Sequence, residues 1–339
     1  MILLQVDEKN AQQRFDKYLR RILPNAPASL IYKQLRKKNI VLNGRKADGS
    51  EKLQAGDEVR LFLADETYQK FTAVQDEQGK DSIGGHYIDA YVKLKDRVSI
   101  VFENEHILAA DKQAGVLSQK SKPDDISVNE WLIGYLMENG SISTQTLVAF
   151  KPSICNRLDR NTSGMIICGK TLAGSQYISS IIKNKTLEKY YYCLVNGKAM
   201  LNGRITGWLY KDKASNTVRI YKDADEIPEK IRAEADFIDT SFMSVRFGSN
   251  ATLVKARLFT GKTHQIRAQL AAMGYPIIGD TKYGDGKINN QYRALGIKSQ
   301  LLHSHKLVFP PTDDRRFADI SGLTLETKPP AIFEKVMSY

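Results

Sequence analysis

The order of strand-like and helix-like segments is the sequence feature that most constrains the fold. Residues 252–259 place alternate side chains on opposite sides, and residues 190–195 form a second strand-like run. Residues 171–184 show the three- and four-residue spacing of a helix face. Long loops separate these segments, and no regular strand–helix repeat is visible. The sequence therefore predicts an α+β fold.

The chain is strongly basic, and its positive charge is concentrated near the start. Its 339 residues include 50 Lys and Arg against 38 Asp and Glu, a net charge of +12. Residues 1–63 carry 13 basic and 7 acidic side chains, so half of the net charge lies in less than a fifth of the chain. At about 150 residues per domain we expect two domains. The excess of cations favours a polyanionic partner, nucleic acid first.

Composition and spacing exclude several classes of protein. No apolar run approaches the roughly 20 residues of a membrane span, and the start, MILLQVDEKN, has no basic leader of a signal peptide. The three cysteines share no CxxC spacing, and the five histidines are scattered. We therefore expect no membrane contact, no disulfide framework, no metal site and a reducing, cytoplasmic location.

The first 63 residues have the pattern of a small helix-and-strand module. Residues 14–23 predict one helix, and Ser29 is the expected N-cap of a second. Asn43 and Gly44 form a turn pair, and residues 59–63 resemble a strand. The second helix presents cations that we call the basic helix face: Lys33, Arg36, Lys37 and Lys38. This face either docks RNA or is only solvated.

Residues 64–97 are predicted to be a linker between two domains. Residues 75–85 are polar, contain three glycines and show little apolar periodicity. A strand-like run comes next, at residues 98–102. The sequence thus predicts a second domain over residues 98–339.

Residues 156–164, NRLDRNTSG, carry the clearest chemical signal. Asp159 lies between two arginines, and in extended geometry Arg157 points to the same side. A nearby arginine would lower the pKa of Asp159 and keep it ionised, which suits a nucleophile or a base without a metal. The alternative is an Asp that caps the following turn or forms a surface ion pair.

Two regions resemble known families. Residues 14–19, 41–44 and 53–59, together with the basic helix face, resemble the S-four-type RNA-binding domain. Residues 156–164 resemble the catalytic motif of the RluA-type pseudouridine synthases, His-Arg-Leu-Asp-x-x-Thr-Ser-Gly, with Asn156 in place of His. The order of the two regions resembles the RluC and RluD subgroups.

Further blocks of that family occur in the same order. They are residues 101–115, 188–197 (EKYYYCLVNG), 261–271 (GKTHQIRAQLA), 276–284 (PIIGDTKYG) and 301–310. The alignment puts the functional tyrosine of the family on Tyr191 and its active-site arginine on Arg267. Gln113 replaces Pro, Lys262 replaces Arg and Gln269 replaces His.

The resemblance implies an isomerase that converts uridine to pseudouridine in structured RNA without a cofactor. Asp159 would act as nucleophile or base, Arg267 would pair with it, Tyr191 would stack on the flipped uracil, and Arg157 would contact the RNA. The implied fold is a mixed, largely antiparallel sheet with helices and loops around a basic cleft.

Large-subunit ribosomal RNA is the expected substrate and a monomer the expected state. The alternatives are transfer RNA as substrate, or a ribosome-assembly factor that binds RNA without catalysis. A metal-dependent nuclease fits the charge but lacks clustered carboxylates.

Overall fold

The computed structural model of the protein describes residues 2–8, 10–72, 77–212, 215 and 217–339. The N-terminal module consists of β1 (Ile2–Gln5), α1 (Phe15–Ile22), α2 (Ala28–Arg36), β2 (Ile40–Leu42), β3 (Arg45–Lys46) and β4 (Glu58–Leu61). Its strands form a sheet in the order β1-β4-β2-β3. Phe15, Leu19, Ile31 and Leu35 bury one face of each helix in a shared core. The predicted helix–helix–strand order is therefore present.

The predicted cap of the second helix is wrong. Helix α2 begins at Ala28, with Pro27 in the cap position and no side-chain cap. Proline fixes its own φ and cannot donate a backbone hydrogen bond, so it suits the start of a helix, where that donor is not needed. The helix therefore begins at Ala28, two residues before Leu30, where a helix capped by Ser29 would begin.

The segment predicted to be a linker contains two helices, α3 (Asp65–Thr72) and α4 (Glu77–Leu94). Residues 73–76, where the polar stretch begins, lie outside the described residues. Leu94 is buried in the main core of the chain, and Tyr91 packs against it. The polar, glycine-containing stretch concealed this helix, because Tyr91 and Leu94, which pack into the core, come after that stretch. The proposed boundaries at 63/64 and 97/98 stay predictions.

The remaining strands build one large sheet. They are β5 (Val98–Glu103), β6 (Ile107–Lys112), β7 (Ser153–Ile154), β8 (Ser163–Gly169), β9 (Glu188–Asn196), β10 (Asn202–Asp212), β11 (Thr217–Tyr221), β12 (Asp236–Phe247), β13 (Ala251–Leu258), β14 (Leu302–Val308) and β15 (Thr324–Glu326). The helices that accompany them are α5 (Val128–Glu138), α6 (Thr146–Ala149), α7 (Leu172–Lys183), α8 (Glu229–Arg232), α9 (Gln265–Ala272), α10 (Gly286–Tyr292) and α11 (Ile332–Met337). Short 3₁₀ turns lie at Ala224–Glu226, Arg293–Leu295 and Arg315–Ile320.

The main path of this sheet runs β11-β10-β12-β13-β9-β14-β8-β6-β5, with β15 beside β14 and β7 beside β8. β8 and β14 pair in parallel, and the other strand pairs of this sheet within the described residues are antiparallel. The predicted mixed, largely antiparallel sheet is confirmed. Helices α5 and α9 pack apolar side chains onto it, among them Trp131, Leu132 and Leu270.

Over the residues that the structure describes, no helix is long and apolar enough to cross a membrane.

Candidate active site

Asp159 lies on a loop between β7 and β8 that is fixed by hydrogen bonds on both sides. The side-chain oxygen of Asn156 accepts a hydrogen bond from the backbone N–H of Ile167 at 2.7 Å. Ser118 Oγ accepts one from the N–H of Leu158 at 3.1 Å and donates to its carbonyl at 2.7 Å. Asn156, which replaces the histidine of the motif, therefore ties the loop to β8.

A buried lysine holds the other end of this loop. Lys112 is 0% exposed, and its ammonium donates to the carbonyls of Arg160, at 3.1 Å, and Thr162. Burial lowers the pKa of Lys112 to about 7, although the nearby charge of Asp159 opposes the shift. The lysine bridges two carbonyls on the C-terminal side of Asp159, and so fixes the turn that presents the carboxylate.

Gly164 ends the motif where two backbones meet. Its φ is +108°, and a Cβ built at this position would lie 2.3 Å from the carbonyl oxygen of Ser304 on β14. Only glycine accommodates both the positive φ and the close approach. This contact sets the loop against the parallel strand pair.

Arg267 supplies the cation that pairs with Asp159, from a position 108 residues later in the chain. It lies in the first turn of α9 and is 6% exposed. Its Nη1 donates to Asp159 Oδ2 at 2.6 Å, while its Nε and Nη2 donate to the two oxygens of Asp280 at 2.7 and 2.9 Å. The side chain of Asp159 is 27% exposed, so the carboxylate is open on one side.

The second carboxylate fixes both the charge and the orientation of the guanidinium. Burial alone would lower the pKa of Arg267, but the hydrogen bonds and charge of Asp280, together with Asp159, raise it. Burial alone would raise the pKa of Asp280, and Arg267 and the backbone N–H groups of Tyr283 and Lys282 lower it below its ordinary value. A planar guanidinium held by two parallel bonds has one orientation, so Nη1 is aimed at Asp159.

The three tyrosines of β9 alternate across the strand as the sequence predicts. Tyr191 is 7% exposed and lines the cleft that contains Asp159. On the opposite face, Tyr190 donates to Glu188 at 2.6 Å and Tyr192 stacks on His305 with ring centroids 4.3 Å apart. Burial raises the pKa of Tyr191 to about 12, and the charge of Asp159 acts in the same direction. The hydroxyl of Tyr191 is therefore neutral at pH 7.

These side chains meet in a cleft of about 1030 Å³. Its wall carries several cationic side chains, which are Arg157, Arg160, Lys189, Lys211, Lys262, Arg267 and Lys282. The size and positive lining suit a nucleotide turned out of an RNA strand.

Arg157 and Arg160 do not have the role that their proximity to Asp159 in sequence suggests. Both are exposed, and within the described residues neither forms an ion pair with Asp159. The backbone leaves extended geometry at residues 155–156 and turns again at 160–161. Arg157 consequently lies on the cleft wall, where it remains a candidate for RNA contact.

The basic helix face lies apart from the residues that line the cleft. Lys33 and Arg36 belong to α2, and Lys37 and Lys38 come directly after its C-terminus. All four are exposed, on the side opposite the buried Ile31 and Leu35. The structure thus groups these cations on one surface, and their function stays a prediction.

Three residues near Asp159 were not predicted as site residues from the sequence. Asp280 belongs to block 276–284, which the sequence favours as structural, yet its carboxylate holds Arg267. His264, three residues before Arg267, has Nε2 3.8 Å from Asp159 Oδ1. Tyr283 Oη lies 2.8 Å from His264 Nδ1. The signal that could have found them is their position, since all three fall inside the family blocks. Within the described part of the chain, no group of three or more metal-ligating side chains occurs.

Comparisons with known proteins show which family the chain resembles. The sequence profile of the family described as RNA pseudouridylate synthase matches residues 106–272. A protein of Vibrio cholerae named ribosomal large subunit pseudouridine synthase C is 28% identical over 311 residues. The match covers 90% of this chain and 88% of the Vibrio cholerae protein. A protein of the same name from Rickettsia bellii is 28% identical over 336 residues, covering 95% and 96%.

A solved structure shares the fold. The human RNA pseudouridylate synthase domain containing 4 has a TM-score of 0.55 at 17% identity, over 73% of this chain and 94% of that one. Sequence and fold together define an isomerase that acts on RNA. The chain is similar to the RNA pseudouridylate synthase family over residues 106–272, and its resemblance to the RluA-type, RluC-like group is confirmed.

Proposed function

We propose that the protein converts uridines of large-subunit ribosomal RNA to pseudouridine, with Asp159 as the catalytic carboxylate. One observation carries this assignment: Asp159 Oδ2 is 2.6 Å from Arg267 Nη1 at a cleft wall that also bears Tyr191. The names of the relatives in Vibrio cholerae and Rickettsia bellii support the ribosomal substrate.

The reaction detaches uracil from C1′ through N1, turns it, and joins it again through C5. The substrate neither gains nor loses an atom in this isomerisation. The reaction needs a carboxylate near the sugar and a site that keeps water away from the free base. Asp159 acts as nucleophile at C1′ or as base on the sugar. Arg267 orients the Asp159 carboxylate, because Asp280 holds the guanidinium in place.

Tyr191 stacks on the flipped uracil. Because burial raises its pKa to about 12, its hydroxyl enters the reaction protonated. Tyr191 accepts the C5 proton while it gives its own hydroxyl proton to N1 of the detached uracil, so one proton leaves C5 and one is gained at N1 late in the reaction.

RNA is held by two separate surfaces in this proposal. Arg157 contacts RNA at the cleft wall, and the basic helix face binds phosphates at a distance from the chemistry. Cys155, Cys168 and Cys193 are all free thiols, which supports action in a reducing cytoplasm. We propose that the enzyme acts there as a monomer.

The deciding experiment maps pseudouridine across all cellular RNA in strains with and without the gene. We expect sites in large-subunit ribosomal RNA to disappear and to return with the wild-type gene but not with Asp159→Asn. That change is nearly isosteric and removes only the charge, so folding and RNA affinity should be kept. Loss of sites in transfer RNA alone would overturn the ribosomal assignment, and restored sites with Asp159→Asn would overturn the role of the carboxylate.

A further inference from the structure

His264 occupies a strained position beside the carboxylate. It immediately precedes α9 with a φ of 56°, in the left-handed region that residues other than glycine rarely adopt. Its side chain is 11% exposed and lines the cleft. Such a conformation persists only where the surroundings enforce it, and at functional sites it often serves to aim a side chain.

The hydrogen bonds of Tyr283 define which nitrogen of the imidazole carries the hydrogen. Tyr283 Oη accepts a hydrogen bond from the backbone N–H of Val218 at 3.0 Å and lies 2.8 Å from His264 Nδ1. The oxygen already accepts from Val218, and donation of the hydroxyl hydrogen to Nδ1 also gives that hydrogen a partner, so we assign the hydroxyl as the donor to Nδ1. The hydrogen of a neutral imidazole is then on Nε2, the nitrogen that faces Asp159.

The surroundings keep the imidazole neutral. Burial lowers the pKa of His264 below its ordinary 6.5. Asp159 on the catalytic loop opposes that shift, Arg267 on α9 and Lys282 add to it, and Asp280 opposes it. At pH 7 the side chain therefore presents an N–H dipole rather than a full charge.

The two oxygens of Asp159 have different neighbours. Oδ2 accepts from Arg267 at 2.6 Å, while Oδ1 lies 3.8 Å from His264 Nε2. That distance is too long for a hydrogen bond, but bonds around a reacting group often shorten when substrate fills the site.

We propose that His264 is a positioning residue whose Nε2–H, fixed by Tyr283, holds Oδ1 of Asp159 and sets the plane of the carboxylate toward the flipped nucleotide. This inference rests on the proposed catalytic role of Asp159. A charged imidazolium would bind Oδ1 more tightly and make it less reactive, so the neutral form is the active one.

The test compares single-turnover rates at saturating enzyme on the RNA that wild-type protein modifies. His264→Asn tolerates the left-handed backbone and keeps a polar group near Tyr283, but it is too short to reach Asp159. We expect a rate about tenfold to a hundredfold lower, with unchanged RNA affinity. The longer amide of His264→Gln should restore part of that loss. Tyr283→Phe should also slow the reaction. In the double variant with His264→Asn, the combined loss of rate should be smaller than the sum of the two single effects on the activation free energy.

Tyr292→Phe is the matched control, because its buried hydroxyl also donates, to Asn196 at 2.8 Å, outside the cleft. It should reduce stability without changing the rate. The wild-type rate should fall as pH drops through the His264 pKa, below 6.5. This decline should be absent in His264→Gln.

The inference would be overturned if His264→Asn reacted as fast as wild type. It would also be overturned if the His264→Asn and His264→Gln variants were equally slow and kept the pH profile of wild type. Failure of the underlying assignment has a different signature, because Asp159→Asn would then be active. An inactive Asp159→Asn beside a fully active His264→Asn removes the role of His264 alone.

Discussion

Asp280→Asn is the most informative single change, because it keeps the shape of the side chain and removes the charge that orients Arg267. The carboxylate of Asp280 is 0% exposed and accepts four hydrogen bonds. Two come from Arg267, at 2.7 and 2.9 Å, and two from the backbone N–H groups of Lys282 and Tyr283, at 2.9 and 3.0 Å. In the variant, an amide N–H₂ group faces a guanidinium donor.

The size of the effect can be worked out from this geometry. Breaking a buried ion pair costs about 3–5 kcal/mol, because the remaining charge is left without compensation. Asp159 still neutralises part of Arg267, so the loss should be at the lower end, about 3 kcal/mol. For a large domain that corresponds to a fall in Tm of about 6–12 °C. The freed guanidinium no longer aims Nη1 at Asp159, and the single-turnover rate should fall about a hundredfold.

Calorimetry and single-turnover product formation measure the two effects, with Asp239→Asn as control. Asp239 also pairs with an arginine, Arg204, but that guanidinium is 59% exposed and lies outside the cleft. The control should keep its rate and lose less stability than Asp280→Asn, because solvent screens the exposed guanidinium of Arg204. A wild-type rate and Tm for Asp280→Asn would refute the view that Asp280 orients the catalytic pair.

Three further predictions test other parts of the molecule. Tyr191→Phe should bind RNA normally but form product at least about a hundredfold more slowly, whereas Tyr192→Phe should stay close to wild type; the reverse order would move the assignment by one residue. Neutralising the basic helix face should reduce the salt slope of RNA binding by about 0.7–0.9 log units for each lost phosphate contact, and an unchanged slope would mean a solvated surface. Burial lowers the pKa of His303 to about 4 from 6.5, so the unfolded chain binds more protons between these values. The free energy of unfolding should drop by about 2 kcal/mol from pH 7.5 to 5, as denaturant titrations can test, and His303→Gln should lack this part of the dependence.

Local patterns predicted much of the fold. The alternation of side chains along residues 252–259 located β13, residues 251–258. The same two-residue period placed Tyr191 and Tyr192 on opposite faces of β9. Three- and four-residue spacing located α7, which begins at its cap Thr171. These elements depend on one face being buried, and a buried face leaves a periodic trace in the sequence. Helix α4 left a weaker trace, because its first half is polar in sequence and its apolar side chains Tyr91 and Leu94 come only near its C-terminal end.

The assembly of the site could not be predicted in the same way. Asp159 pairs with Arg267 and not with Arg157, and nothing in the local sequence distinguishes the two arginines. Asp280 is indistinguishable from a turn aspartate until the sheet brings it against α9. Such contacts join residues far apart in the chain, and they depend on the order of strands in the sheet rather than on spacing. Only the family motifs, taken together, pointed to Arg267.

The parallel pairing of β8 with β14 makes the catalytic loop depend on a strand that is synthesised much later. Ser163 at the base of the catalytic loop hydrogen-bonds His303, 140 residues later, and Gly164 packs on Ser304. A nascent chain emerges from its N-terminus, so the basic module and the loop with Asp159 exist long before β14. Until β14 inserts between β8 and β9, the catalytic loop lacks the strand against which Gly164 packs. An unfinished chain that lacks β14 therefore contains the N-terminal module but not a completed catalytic loop.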